Sequence, residues 1–163
     1  RPSAMIPQAI FGRNFQKILF FVYYVTNIIL IALLFTSMSK KWVSLASLPR
    51  KIILYSLAVI GIINIPVVIY THIENIAPKL MQLPYHHCIY CFMGNGLVPD
   101  APIMLGLFVI GTFAIGWMGI LMLLCKNGEA QLVTERLLLK VNNLSAFCFL
   151  ASVIMVTIHL ILI

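Results

Sequence analysis

Residues 15–37 read FQKILFFVYYVTNIILIALLFTS, apolar except for Gln16, Lys17, Thr26 and Asn27 until Thr36 and Ser37 close the run. As a helix rising 1.5 Å per residue this run covers about 35 Å, enough to cross a hydrocarbon core of about 30 Å. Composition agrees. The 163-residue chain is 62% hydrophobic and only 9% charged, with a mean hydropathy of +1.05, whereas about a quarter of the residues of a soluble domain are charged.

Working outward, further apolar runs cover about 52–72, 102–125 and 144–163. The expectation is an all-α integral membrane protein: four transmembrane helices in a single bundle and one membrane domain over 1–163, with a long outer loop, 73–101, between helices 2 and 3. Pro66 removes a helical donor from the second span and predicts a kink there. Along the third span, Gly106, Gly111, Gly116 and Gly119 permit close helix approach. Residues 126–143 mix charged and apolar positions, which predicts a short amphipathic surface helix ahead of the fourth span.

A formal charge of +7 comes from eleven Lys and Arg against four acidic residues. Beside apolar spans such cations set topology and touch lipid headgroups, and no basic stripe with interleaved aromatics is present to read bases. The expected partners are the lipid bilayer and other membrane protein subunits, not nucleic acid. Lys40, Lys41, Arg50, Lys51, Lys126, Arg136 and Lys140 fall on the two connectors, against Arg1, Arg13, Lys17 and Lys79 on the side of the long loop. The positive-inside rule then puts loop 73–101 on the extracytoplasmic side of a bacterial or archaeal inner membrane.

In that loop stands a polar island, Tyr85-His86-His87-Cys88-Ile89-Tyr90-Cys91-Phe92-Met93. His86, His87, Cys88 and Cys91 are the candidate metal ligands, with Met81 or Met93 as a further soft donor, a set suited to Cu or Zn. Adjacent side chains rarely face one ion, so one of the two histidines is expected to serve another partner. His72 would complete a Cys₂His₂ zinc site. Helix rise brings His72 and His159 to the same face as the loop, where the two imidazoles are candidate cofactor residues, for b-type haem or for a quinol proton relay. A c-type haem attachment is excluded, because Phe92 stands where that motif needs histidine. Cys125 and Cys148 fall at the opposite face and read as packing residues.

The CxxC invites a second reading, in which Cys88 and Cys91 are a catalytic thiol pair. Four helices with Cys88-Ile89-Tyr90-Cys91 outside the membrane resemble the disulfide-forming quinone reductases, the DsbB and vitamin K epoxide reductase families. That resemblance implies electron transfer from the CxxC to quinone and a second outer cysteine pair. The remaining cysteines of this chain lie at the other face, so the reaction is not carried over. The functional expectation is a small subunit or accessory factor of a respiratory, electron-transfer or cytochrome-assembly system, with the His/Cys cluster binding metal or contributing to a haem site. The alternatives are a thiol-disulfide oxidoreductase coupled to quinone and a structural subunit of a larger complex.

Overall fold

A computed structural model describes residues 14–38, 47–83, 86–94, 97–124 and 130–162. The chain is an all-α membrane bundle. Its elements are α1 (Phe15–Met38), α2 (Ser47–Thr71), a π-helical segment (His72–Ile76), α3 (Ala77–Leu80), the short α4 (Ile89–Gly94), α5 (Ala101–Leu124) and α6 (Ala130–Leu162). Among the described residues, four stretches are long and apolar enough to cross a membrane: Phe15–Ser37, Ile52–Leu80, Ala101–Leu121 and Leu137–Leu162. The outward side chains Phe21, Tyr55, Ile62, Phe113 and Phe147 are exposed. On a soluble protein that much apolar surface would mark an interface; around this bundle it faces lipid.

Polar contacts fix the helix order. Asn64 Nδ2 donates to Asn27 Oδ1 at 3.0 Å and Asn75 Nδ2 to the Gln16 carbonyl at 3.2 Å, which pairs α1 antiparallel with the second span. Asn142 Nδ2 donates to the Leu34 carbonyl at 3.0 Å, and the Tyr24 and Thr157 hydroxyls meet at 3.1 Å, so α6 runs antiparallel to α1 as well. Ser145 and Ser152 of α6 donate to the carbonyls of Gly111 and Met104 of α5, each at 2.9 Å. Helix α5 also packs on α2, where a Cβ added at Gly61 would lie 3.3 Å from Ile115. The bundle is therefore an up-down-up-down ring.

Lipid tails are as apolar as leucine, so association rests on close packing and interhelical hydrogen bonds rather than on expulsion of water. The expectation that the third span's glycines permit close approach narrows to one of them. A Cβ at Gly111 would sit 3.0 Å from the Phe149 ring, while nothing lies within 4 Å of one at Gly106, Gly116 or Gly119.

Two boundaries differ from the sequence reading. The fourth span and the expected surface helix 126–143 form one helix from Ala130, because residues 130–143 hold neither glycine nor proline to stop it. As a result Cys148 is buried in mid-bundle, next to Gly111, rather than at one face; Cys125 lies outside the described residues. Pro66 stands inside α2, which remains helical across it.

The second span continues past His72 to Leu80, and its continuation depends on Pro78. In α-helical register Pro78 would face the Glu74 carbonyl with no N–H to offer. Here the register slips: the Ala77 N–H reaches back five residues to the His72 carbonyl, the mark of a π-bulge. The helix then closes with Gln82 N–H donating to Lys79 and Leu83 N–H to Pro78, both at 3.0 Å, around Gln82 at φ 54°. That is a Schellman stop. Residues 73–80, expected in the loop, are therefore helical, and His72, Glu74 and Asn75 are buried.

Candidate functional site

The loop's polar island lies over this π-segment. Because the Ala77 N–H is committed to His72 and Pro78 has none, the Ile73 carbonyl is open to a side chain, and His87 Nδ1 donates to it at 3.0 Å. The same nitrogen lies 3.7 Å from Glu74 Oε2. His87 is thus engaged with the second span and ties the loop to it.

His86, Cys88 and Cys91 come together on the other side of that tie. One ligand atom from each lies within 4.8 Å of the other two, and all three residues are half-buried. Tetrahedral zinc, with Zn–S about 2.3 Å and Zn–N about 2.0 Å, holds its donors about 3.4–3.8 Å apart. Small side-chain rotations would close the group onto an ion. Buried His86 Nε2 has no hydrogen-bond partner, an omission that ordinarily costs about 1–3 kcal/mol. A nitrogen lone pair of this kind, beside two thiols, is what a soft or borderline cation takes up.

Short-range backbone geometry arms the first cysteine. Phe92 N–H donates to the Cys88 carbonyl at 3.0 Å, so Cys88 stands at the head of α4. Its sulfur accepts from the Cys91 N–H, then from the Cys91 thiol and the Tyr90 N–H, and these donors hold the Cys88 pKa below the ordinary thiol value. Both cysteines are thiols. The thiolate is the form that binds metal and attacks disulfides, so this environment serves either chemistry.

The two further histidines have different partners. His72 is buried between the rings of Tyr23 and Phe92, at centroid distances of 6.1 and 6.4 Å. Its Nδ1 donates to the Val68 carbonyl at 2.8 Å, and its Nε2 has no partner. It is not part of the three-donor group. His159 Nδ1 donates to the Met155 carbonyl at 2.9 Å, while Nε2 lies 3.4 Å from Asp100 Oδ2. This contact fastens the end of α6 to the residue preceding α5. Of the two methionines considered as extra donors, Met81 is buried in the core and Met93 is exposed. The sequence reading passed over Glu74 and Asp100; their signal was that two of only four acidic residues flank the long loop.

Compared with family models, with curated proteins and with solved structures, the chain matches none.

Proposed function

We propose that this chain is a small metal-binding membrane subunit or accessory factor whose loop cluster, His86, Cys88 and Cys91, holds a soft or borderline cation. The observation that carries this reading is the approach of the three donor atoms to within 4.8 Å, together with the unpartnered, buried Nε2 of His86. Copper and zinc are the cations such nitrogen and sulfur donors select. On the charge balance of the connectors the cluster faces the extracytoplasmic side. In the wider reading the protein serves an electron-transfer or cytochrome-assembly system alongside other membrane subunits. The unfilled space beside Gly106, Gly116 and Gly119 suits a neighbouring helix.

A second reading, thiol-disulfide exchange, is favoured by the lowered Cys88 pKa. Metal analysis of the purified protein, with thiol titration before and after a chelator, separates the two. Metal binding requires about one equivalent of copper or zinc and two thiols shielded until the chelator is added. A metal-free protein carrying a reducible Cys88–Cys91 disulfide would overturn it in favour of thiol exchange.

A further inference from the structure

Three donors leave a zinc ion one short of the four that structural sites use. Among the described residues, three buried side-chain polar atoms have no hydrogen-bond partner, and two of them are imidazole nitrogens: His86 Nε2, in the cluster, and His72 Nε2, in the π-segment. We propose that His72 is the fourth ligand, so that Cys88, Cys91 and His86 from the loop and His72 from the second span bind one Zn(II) as a Cys₂His₂ set. The proposal rests on the metal-binding reading above.

Three observations support it. Metal-bound histidines almost always donate their second ring N–H to a carbonyl or carboxylate, which fixes the tautomer and aims the lone pair. His72 already does so, through Nδ1 to Val68 at 2.8 Å. Connectivity brings the two ligand-bearing stretches together: His87, which stands between His86 and Cys88, bonds to Ile73, the residue after His72. Finally, the His72 ring meets that of Phe92, and Phe92 follows Cys91 on α4. Closing the site means tilting α4 so that Phe92 slides off the imidazole and Nε2 takes its place in the shell.

Charge selects zinc over Cu(I). Two thiolates and two neutral imidazoles around Zn(II) sum to zero, the charge least costly to hold at the end of an apolar bundle; the same donors around Cu(I) would leave one uncompensated negative charge. Ligation thereby joins a loop to a membrane helix.

The test uses the full chain in detergent or lipid discs, with Zn(II) for X-ray absorption and Co(II) as an optical probe. Wild-type protein should show two sulfur and two nitrogen ligands and the visible bands of tetrahedral cobalt. His72→Phe, which fills the same space without a lone pair, should change the shell to two sulfurs, one nitrogen and one oxygen. It should also weaken zinc binding beyond the roughly 10–100-fold that loss of an outer partner produces, while the metal-free protein stays as helical and unfolds no earlier. His72→Gln is the alternative variant should the phenylalanine not be accommodated, and the wild-type ligand count needs no variant at all. A wild-type shell with one nitrogen, or zinc affinity unchanged in both variants, overturns the assignment of His72 and leaves the three-donor site standing. Failure of the reduced wild-type protein to bind Zn(II) or Co(II) overturns the metal reading itself.

Discussion

The middle of the bundle and its loop end treat polar groups in opposite ways. In the middle, the amides of Asn27 and Asn64 bond to one another, Thr26 bonds to Asn64, and the Ser145 and Ser152 hydroxyls reach carbonyls of the adjacent helix. Each of these side chains satisfies another group. At the loop end, His72 and His86 keep buried lone pairs with nothing to accept, and two thiols stand close by. Most polar groups that serve the fold are satisfied within it; Asn142, whose Nδ2 bonds to the Leu34 carbonyl while its Oδ1 has no partner, is the exception. The two imidazole nitrogens left open at the loop end, one of them grouped with both thiols, point to a ligand.

The largest effect that could break this contrast comes from the loop end. Replacing Cys88 and Cys91 together by serine should abolish stoichiometric zinc binding, measured by metal analysis after dialysis, with no change in helical content. Retained binding would mean the thiols are not the donors.

The middle should respond in stability and not in binding. Asn64→Leu leaves the buried Asn27 Oδ1 without its donor, although Asn27 Nδ2 keeps the Tyr23 carbonyl, and should lower stability by about 1–3 kcal/mol, read as an earlier unfolding transition in detergent. The double change Asn27→Leu with Asn64→Leu should recover most of the loss, since neither position then buries an amide oxygen without a donor. Likewise, Gly111→Ala forces a methyl group to 3.0 Å from the Phe149 ring and should cost about 1–3 kcal/mol. Gly116→Ala meets nothing and, by removing a mid-helix glycine, should raise stability by up to about 1 kcal/mol.

Smaller effects sharpen the loop end. His87→Ala removes the donor to Ile73 and should weaken metal affinity about 10-fold by titration, while the ligand count stays as in the wild type. Because Cys91 and Tyr90 stabilise the Cys88 thiolate, the alkylation rate of Cys88 should reach half its maximum below the ordinary thiol pKa of about 8.5. As pH falls through the lowered value the thiolate takes a proton and the rate is lost. Cys91→Ala removes the thiol donor and should shift the midpoint upward.

The four spans were legible because each is a long apolar run that admits one structure in lipid. The end of the second span was not. Glu74, Asn75 and Pro78 read as loop residues, and only the register slip at Pro78 lets the helix go on and turn the two polar side chains into the bundle, where Asn75 reaches Gln16. The cluster was partly legible. The spacing of Cys88 and Cys91 and the neighbouring His86 stand in the sequence, but that His87 rather than His86 faces the membrane helix depends on which carbonyl the π-bulge leaves open. For Asp100 and His159, fifty-nine residues apart in sequence, contact follows only once the continuous α6 sets where His159 comes to rest.

A π-bulge amounts to one residue more than an α-helix needs. Deleting a single residue between Ile73 and Ile76 would restore regular winding and leave everything beyond it close to its present orientation, because the Ala77 N–H to His72 carbonyl bond would simply become an α-helical one. Pro78 would then stand four residues after Ile73 with no N–H to offer, so the Ile73 carbonyl would stay open to His87, and Lys79 would keep its place 4.5 Å over the Phe20 ring. At this point on the chain the surplus residue is spliced in without disturbing its neighbours, and what it adds is one more buried polar side chain, Glu74 or Asn75.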